Sequence, residues 1–586
     1  MDEILVVAAI DFGTSFSGYA YSFRKNPDQI LINQKWNNGN EEEQSVAYKT
    51  PTTVLYDDKG NFNSFGYEAE DRFAVKREAN QEKGWRYFRH FKMKLHQALD
   101  TSNMASNKRK GARVSRCLKL HDQYGQEMDA IKVFSDAIGY LKTTLLKTLK
   151  DSTGFTRDND VLWVLTVPSI WGLQAKQFMR EAAVNAGIHG RNLRLALEPE
   201  AAAIYCKSHE MQKEQVESTM LAFQPGESFM IIDCGGGTVD ITVHTVEEDG
   251  SLKEMCLPSG GPWGGTSVDD KFFDFMKELI GVKTFEKIQT LYPSTMFDLQ
   301  RAFETKKKNA LNPDGCSITG GISQVLHIFK KETKKDLEKS IPKKFSNSVG
   351  ITLGSRLRLS KTLMTSFFES PLQSISDHVV HLFQNTQIEH INKVLLVGGF
   401  SDSPLLKTKL EEVFPSKQFI LPRDASLAVL KGAVLYGHNQ RSITTRISHA
   451  TYGIATDVPF DKTVHPESHL HTRRGVSLCT DVFKVMITRN QPLTIDTTFT
   501  NEFRPPNAED VTADIEVFSS SQKDPKYTTD PECQRIGVMT IEIPDTRKGK
   551  DRLIQVRMHF GGTELYVTAV ENGTENTVSA TFDCLK

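Results

Sequence analysis

Two short segments share one pattern, and that pattern constrains the fold more than any other feature of the chain. "AIDFGTSFSGYA" places Asp11 and Gly13 directly after an apolar run, and "IIDCGGGTVDIT" places Asp233 and Gly235 in the same way 222 residues later (233 − 11). Each segment predicts a buried strand, a glycine turn and a second strand. Two such hairpins in one chain indicate an internal repeat.

The residue types in these turns suit a polyphosphate. Glycine has no Cβ, so backbone N–H groups can approach phosphate oxygens closely, and a hydroxyl such as that of Thr238 adds a donor. Carboxylates such as Asp240 suit Mg²⁺, which prefers oxygen ligands and keeps several waters. A third glycine pair, Gly398-Gly399, ends another strand at a place where a nucleoside could lie against bare backbone. The pattern therefore favours two jaws that hold phosphates from opposite sides.

The composition gives no sign of nucleic acid or membrane as a partner. The chain has 586 residues, too many for one compact core, and its formal net charge is −1. The eight cysteines are scattered without a CxxC pair, so a zinc or redox motif is not indicated. No apolar stretch is long enough to span a bilayer, and the opening "MDEILVVAAI" favours a first strand over a secretory signal. We expect a reducing setting in the cytoplasm or nucleus.

The chain divides by pattern near residue 440. Residues 1–437 alternate apolar strands with amphipathic helices, which is typical of an α/β architecture. From about residue 441 the helical period gives way to short strands separated by Pro, Gly, Asn and Asp, which predicts an all-β sandwich. We expect a domain over 1–440, with lobes of about 1–220 and 221–440, followed by a β-sandwich over 441–586.

Five segments together resemble the 70-kDa heat-shock protein family of the actin, sugar-kinase and heat-shock ATPase superfamily, in particular its heat shock 70 kDa protein 12 branch. "IDFGTSFSG" and "IDCGGGTVD" resemble the two phosphate loops. "TVPSIWGLQAKQFMREAAVNAGI" and "LALEPEAAAIYC" are similar to the connecting segment, and "LLVGGFSDSP" to the adenosine motif. The resemblance implies a two-lobed actin-like ATPase domain that binds ATP or ADP with Mg²⁺.

The resemblance also implies roles for individual residues. Mg²⁺ would be held, largely through water, by Asp11 and Asp233. Catalysis would depend on Lys94, Glu198, Asp233 and Asp240, with Lys92 close enough to be the alternative lysine. Phosphates would contact Gly13, Thr14, Ser15, Gly235, Gly236, Gly237 and Thr238. The nucleoside would contact Gly264, Gly265, Glu304, Lys307, Lys308, Gly398, Gly399 and Phe400. For Glu304, Lys307 and Lys308, an exposed charged helix face is the alternative interpretation.

The chain departs from the family pattern in three places. Phe400 and Asp402 stand where the family has small residues and an arginine that stacks on adenine, so base preference is open. The segment "HNQRSITTRI" (438–447) is polar and basic where the family linker is acidic and leucine-rich. The sequence reaches Lys586 shortly after its last strand, so we expect no helical lid and rapid exchange of a bound peptide.

Three functions remain open from the sequence. The first is a chaperone-like protein, a monomer and weak ATPase, whose nucleotide state regulates binding of protein or peptide clients by residues 441–586. The second is a non-catalytic, nucleotide-gated scaffold or signalling adaptor. The third, less favoured, is a small-molecule kinase of the same fold, which would need a carboxylate base beside an acceptor hydroxyl. Release of γ-phosphate by the pure protein separates the first two.

Overall fold

The computed structural model describes residues 4–36, 47–97, 114–155, 157–210, 223–473, 475–495, 497–505, 507–571, 577–580 and 585. The strands are β1 (Val6–Phe12), β2 (Phe16–Phe23), β3 (Asn26–Ile32), β4 (Thr50–Pro51), β5 (Thr53–Tyr56), β6 (Phe62–Phe65), β7 (Arg86–Arg89), β8 (Lys119–His121), β9 (Glu127–Asp129), β10 (Val161–Val167), β11 (Leu193–Leu197), β12 (Ser228–Cys234), β13 (Val239–Val246), β14 (Leu252–Glu254), β15 (Ser259–Gly261), β16 (Cys316–Ile318), β17 (Val349–Thr352), β18 (Arg356–Leu359), β19 (Lys393–Val397), β20 (Gln418–Ile420), β21 (Ile443–Ile447), β22 (Thr451–Pro459), β23 (Leu470–Arg473), β24 (Val476–Ile487), β25 (Pro492–Thr494), β26 (Thr498–Phe503), β27 (Thr512–Ser520), β28 (Cys533–Glu542), β29 (Ile554–Gly561), β30 (Glu564–Glu571) and β31 (Thr577–Ala580). The α-helices are α1 (Tyr67–Glu78), α2 (Met93–Gln97), α3 (Ala130–Thr153), α4 (Leu173–Asn185), α5 (Glu198–Glu210), α6 (Thr266–Ile280), α7 (Val282–Leu291), α8 (Pro293–Lys307), α9 (Ile322–Thr333), α10 (Lys361–Ser366), α11 (Glu369–Phe383), α12 (Pro404–Val413) and α13 (Ala428–His438).

Two sheets with the same local topology form the first part of the molecule. Sheet A has the order β11-β10-β1-β2-β3, with β4 on β2, and sheet B the order β20-β19-β12-β13-β14-β21-β25, with β15 on β13. In each sheet the central strand, β1 or β12, pairs in parallel on one side and with its antiparallel hairpin partner on the other. Asp11 pairs with Gly18 in one hairpin and Asp233 with Asp240 in the other. The predicted repeat is therefore present in strand order and register.

The two sheets share a core that fixes their relative position. Val7 and Ala9 of β1 and Ile231 of β12 belong to one buried cluster with residues of α5 and α13. The helices α5 and α13 are in close backbone contact. A Cβ on Gly432 of α13 would lie 1.6 Å from the carbonyl oxygen of Ala201 in α5, so only glycine allows this approach. This packing brings the carboxyl ends of β1 and β12, where Asp11 and Asp233 lie, to the same cleft.

From Ile443 onward the described residues contain strands and short helical turns but no α-helix, as the change of composition predicts. Two antiparallel sheets follow: sheet C, in the order β23-β24-β22-β27-β28, and sheet D, in the order β26-β29-β30-β31. Residues of both sheets, such as Ile515 and Val556, share one core cluster. No helix in the described part of the chain is long and apolar enough to span a membrane.

Strands β21 and β25 do not belong to sheets C and D, although both lie beyond residue 440. The strand β21 pairs in parallel with β14 and so extends sheet B, and β25 pairs with β21. Arg446 of β21 makes two 2.7 Å contacts to Glu200 of α5 and donates to the carbonyl oxygen of Gly562 at 2.9 Å. Arg180 of α4 forms an ion pair with Glu564 of β30. The segment between the two parts of the chain is therefore tied to both.

Candidate functional site

The first jaw is the turn between β1 and β2. A Cβ on Gly13 would lie 2.3 Å from the carbonyl oxygen of Phe16, so the turn is as tight as glycine allows. Thr52 holds it from behind: its hydroxyl donates to the Gly13 carbonyl at 2.8 Å, and its N–H donates to the Ser15 carbonyl at 2.8 Å. The Ser15 hydroxyl is buried and has no hydrogen-bond partner among the described residues. It is available to donate to a phosphate oxygen.

The second jaw, between β12 and β13, faces the first directly. The Gly235 N–H donates to the Thr238 carbonyl at 2.9 Å and closes the turn. A Cβ on Gly236 would lie 2.3 Å from the Ser15 hydroxyl, and one on Gly237 would lie 2.7 Å from the Thr14 hydroxyl. Both positions therefore require glycine. The two turns, here called the phosphate cradle, lie against each other, and their glycine backbone and the Thr14 and Ser15 hydroxyls are groups that suit a polyphosphate.

Gly264 and Gly265 support the second jaw. The N–H groups of Gly264 and Gly265 donate to the carbonyls of Gly237 and Gly235 at 3.3 and 3.1 Å. A Cβ on Gly264 would lie 2.5 Å from the Gly236 carbonyl oxygen, so the two segments touch backbone to backbone. The Thr266 N–H and hydroxyl also donate to Gly236, at 2.8 and 2.9 Å. The structure thus places these two glycines beneath the phosphate cradle.

Four carboxyl groups gather at the floor of the cleft. Asp11, Asp233 and Asp240 are 5%, 5% and 1% exposed, and Glu198 begins α5 beside them. Asp240 accepts hydrogen bonds from the Ser169 hydroxyl at 3.0 Å, the Ile170 N–H at 3.2 Å and the Thr238 hydroxyl at 3.1 Å. The carboxyl groups predicted from the two hairpins and from "LALEPEAAAIYC" are therefore brought together.

Lys92, not Lys94, is the lysine at this cluster. Lys92 is 3% exposed, and its Nζ lies 2.7 Å from Glu198 Oε1 and 5.2 Å from the centre of the Trp171 ring. Lys94 is exposed to solvent. The helix α2 begins at Met93, so two successive lysines of "FKMKL" point to different sides. We correct the expectation for Lys94 accordingly: the alternative, Lys92, is the lysine that lies beside Glu198.

Asp11 is bound by a second lysine. Lys49 Nζ lies 2.6 Å from Asp11 Oδ2 and donates to the Ser426 carbonyl at 3.0 Å, while the Thr166 hydroxyl donates to Asp11 Oδ1 at 3.0 Å. Burial alone would raise the pKa of Asp11, but the charge and hydrogen bond of Lys49, the charge of Lys92 and the Thr166 hydrogen bond together outweigh burial, and the pKa is lowered. Asp11 is therefore ionised and already paired.

The other three carboxyl groups have raised pKa values. Burial raises the pKa of Glu198 to about 7, in spite of the attraction of Lys92. Burial and then the charges of Glu198, Asp240 and Asp11 raise the pKa of Asp233 well above its usual value. Burial also raises the pKa of Asp240, although its hydrogen bonds oppose the shift. These shifts come mainly from burial, so the three carboxyl groups resist ionisation, and a nearby cation would favour their charged forms.

The fit to Mg²⁺ is partial. Asp233 and Asp240 have carboxylate oxygens that could hold a metal-bound water, which suits Mg²⁺. The lysine on Asp11 occupies the oxygen that would serve the same purpose. Within the described ranges no three His, Cys, Asp or Glu side chains converge closely enough to bind a metal directly. Asp11 therefore does not fit its expected role, whereas the phosphate cradle fits well.

The residues expected to contact the nucleoside lie around Gly398 and Gly399. Gly399 has open space where a Cβ would be, whereas Gly398 adopts φ 85° and packs on Asp233. Phe400 is 5% exposed and stacks on Phe368 with ring centres 6.2 Å apart, so its ring packs in the hydrophobic core. Asp402 pairs with Lys308 at 3.1 Å. Asp402, which stands where the resemblance implies an arginine, is thus paired with a lysine.

Glu304 and Lys307 lie at the same end of the cleft. Lys307 is 6% exposed, so it is not part of an exposed charged face. Its Nζ lies 2.6 Å from Glu304, 2.8 Å from Asp269 and 3.3 Å from the Gly265 carbonyl oxygen. The structure therefore joins α8, the start of α6 and the glycine segment beneath the second jaw.

Ion pairs of Arg301 connect the two sides of the cleft. Arg301 of α8, on the side of sheet B, lies 2.7 Å from Glu70 and 2.9 Å from Asp71 of α1, on the side of sheet A. Glu70 is 6% exposed, so the pair is largely shielded from water. This contact joins the two halves of the molecule.

Sequence reasoning missed the residues that hold the site from behind. Thr166, Ser169 and Trp171 belong to "TVPSIWG", a segment that was recognised without roles for its polar residues. Lys49 lies in "AYKTPTT", which carries no recognised motif, and meets Asp11 across 38 residues of sequence. No local signal in the sequence could have found that contact.

Comparisons with known proteins agree with the geometry. The family model described as "Hsp70 protein" matches residues 25–319. The human protein "Heat shock 70 kDa protein 12A" is 32% identical over 643 aligned positions, which cover 100% of this chain and 92% of the relative. Human "Heat shock 70 kDa protein 12B" is 30% identical, with 99% and 91% covered. "Chaperone protein DnaK" of Psychrobacter cryohalolentis is 25% identical over 50% of this chain and 41% of its own length. The chain belongs to the 70-kDa heat shock protein family, in the branch of the 12A and 12B proteins.

Proposed function

We propose that this protein binds ATP and ADP between sheets A and B and hydrolyses ATP slowly. The observation that carries the proposal is the contact between the two jaws, where Gly236 and Gly237 lie against Ser15 and Thr14 above the carboxyl cluster. Backbone N–H groups and the Ser15 hydroxyl would bind the phosphates. Fixed donors of this kind stabilise charge that develops during phosphoryl transfer.

The cluster below the jaws supplies the groups that hydrolysis needs. Lys92 would place its ammonium group at the transferred phosphate, because its Nζ is held at the floor of the cleft by Glu198. Asp240, fixed by Ser169, Ile170 and Thr238, would orient the attacking water. Mg²⁺, when bound with the nucleotide, would neutralise phosphate charge.

The remainder of the chain would bind a protein or peptide. We infer a nucleotide-binding domain over 1–440, with lobes of about 1–220 and 221–440, and a partner-binding β-sandwich over 441–586. The described strands of this second part form sheets C and D, except for β21 and β25, which extend sheet B. The contacts of Arg446 with Glu200 and Gly562 support communication between the two parts. The proposal is of a chaperone-like monomer in the cytoplasm or nucleus, whose nucleotide state regulates client binding.

A second function, a nucleotide-gated scaffold without hydrolysis, is favoured by two contacts. Lys49 pairs with Asp11, which would otherwise serve the metal, and Lys308 pairs with Asp402 in the nucleoside pocket. Such a protein would bind nucleotide and change its affinity for a partner without releasing phosphate. The same purified chain distinguishes both functions.

The test combines calorimetric titration of ATP and ADP with a phosphate-release assay on the intact chain. Saturable binding with slow release of phosphate supports the ATPase, binding without release supports the scaffold, and no binding contradicts both. Gly236→Val should abolish binding, since any Cβ there meets Ser15. Gly350→Val is the matched control, because Gly350 lies in β17 with its nearest neighbour, Arg358 Cβ, at 3.9 Å.

A further inference from the structure

The side chain of Lys49 packs against a glycine of the first hairpin. Gly18 is the position in sheet A that corresponds to Asp240 in sheet B (240 − 222). A Cβ on Gly18 would lie 3.0 Å from Lys49 Cγ, so the lysine stem passes over the glycine. Thr50, the next residue, is held in β4 against β2. The repeat thus has a carboxylate in one half and the stem of a lysine in the other.

The ammonium group of Lys49 contacts two different segments of the chain. Its Nζ lies 2.6 Å from Asp11 in sheet A and 3.0 Å from the carbonyl oxygen of Ser426, in the segment that packs against Gly398. The side chain is 21% exposed, so it remains partly accessible to solvent while anchored. A charge fixed in this way loses little further conformational entropy when a phosphate arrives.

The charges at the floor of the cleft indicate what Lys49 could do when a nucleotide binds. Of the lysines that the structure places at the carboxyl cluster, Lys92 is bound to Glu198 and Lys49 to Asp11. A nucleotide adds further negative charge, and like charges repel strongly in a partly buried site. In such sites a divalent ion normally supplies the compensating positive charge. Mg²⁺ keeps several of its waters when it does so.

We propose that Lys49 acts as a tethered cation that replaces part of the charge compensation of a divalent ion, so that nucleoside diphosphate binds with little dependence on Mg²⁺. The proposal rests on the proposed nucleotide-binding function and deepens it.

The test is an equilibrium binding measurement and does not depend on turnover. The dissociation constant of ADP is measured by calorimetry for the intact chain, once with Mg²⁺ and once with EDTA. The ratio compared is the dissociation constant in EDTA divided by that in Mg²⁺. For the wild type this ratio should stay below about tenfold, equivalent to about 1.4 kcal/mol. For Lys49→Met the ratio should exceed about tenfold, because the tethered charge is lost while the stem length is kept.

Two further variants make the result specific. Lys142→Met is the matched control, since Lys142 is also an anchored lysine, with Asp158 at 2.6 Å and the Gly187 carbonyl at 2.7 Å, but lies on α3. It should keep the wild-type ratio. Lys49→Arg keeps the charge and should also keep the ratio, and it decides the matter if Lys49→Met does not fold.

The outcomes that contradict the proposal are distinct from failure of nucleotide binding. A wild-type ratio of about tenfold or more overturns it, as does a Lys49→Met ratio no larger than that of the wild type. If Lys49→Met does not fold, a Lys49→Arg ratio of about tenfold or more overturns it as well. Absence of ADP binding by the wild type in both buffers would instead overturn the proposed function itself.

Discussion

Lys92 Nζ lies 2.7 Å from Glu198 Oε1, and this pair joins the segment before α2 to the first residue of α5 at the floor of the cleft. The lysine is 3% exposed and its ammonium group lies 5.2 Å from the centre of the Trp171 ring. Such a buried cation is fixed before a phosphate arrives. Electrostatic stabilisation by fixed groups is usually the largest contribution to catalysis of this kind.

Lys92→Ala should therefore slow phosphate release at saturating ATP by roughly 100-fold or more, the usual cost of removing one fixed electrostatic contact. The affinity for ADP should change much less, since the jaws are untouched. Lys94→Ala is the matched control, because Lys94 is two residues away and exposed, and should leave both quantities unchanged. A slower rate in Lys94→Ala with a normal rate in Lys92→Ala would refute the assignment.

The sequence predicts the backbone of this site better than its side chains. The two hairpins are recognisable because glycine and Asp stand at fixed offsets from an apolar run, and their register is a local property of each strand pair. The choice between Lys92 and Lys94 depends on where the short helix α2 begins, which a five-residue element does not reveal. Lys49 reaches Asp11 through tertiary packing alone.

The domain pattern shows the same limit. The change from mixed to all-β composition near residue 441 is visible in the periodicity of apolar residues. The pairing of β21 with β14 in sheet B is not visible in the sequence, because an alternating strand such as "ITTRI" can pair with any edge that accepts its register. Arg446 of β21 also contacts Glu200, a residue far away in the sequence, and this contact is not visible in the local pattern either.

The bridge between Arg301 and Glu70 should control how long the cleft stays closed. Arg301→Met leaves the buried Glu70 carboxylate without its partner at 2.7 Å, a change that costs about 2 kcal/mol. Dissociation of bound ADP, followed by stopped-flow displacement of a fluorescent analogue, should become faster, and urea unfolding should shift to lower concentration. Adding Glu70→Gln should recover part of the stability but not the slow release. Unchanged dissociation would show that the bridge does not close the cleft.

The contact between Arg446 and Glu200 should hold β21 in sheet B. Glu200 is 1% exposed, so Arg446→Ala leaves a buried carboxylate unpaired at a cost of about 3 kcal/mol. Hydrogen exchange of the amides of Ile443–Ile447 should then accelerate by roughly 100-fold, which corresponds to that energy. Arg441→Ala is the control, because Arg441 is an exposed arginine of the same segment. Equal protection of β21 in both variants would refute the role of the ion pair.

Glu254 should make the junction between the two parts of the chain weaker as pH rises. One carboxyl oxygen accepts the Ile447 N–H at 2.6 Å, while the other is buried without a hydrogen-bond partner among the described residues. Burial, and then the charge of Glu200, raise the pKa of Glu254 to about 8, although the Ile447 N–H, Arg446 and Lys176 oppose the shift. A carboxyl group with a raised pKa holds its proton longer in the folded state. Its contribution to stability is therefore complete below its unfolded pKa and is lost as pH rises towards about 8.

Glu254→Gln keeps the shape of the protonated carboxyl group and cannot ionise. The difference in thermal midpoint between this variant and the wild type should thus be small near pH 5 and should grow in favour of the variant up to about pH 7.5. Over this range Lys176 stays largely protonated, since burial, followed by the charge of Arg446, lowers its pKa only to about 8. Scanning calorimetry at four pH values measures the difference directly. A difference that stays constant with pH would show that Glu254 ionises freely in the folded protein.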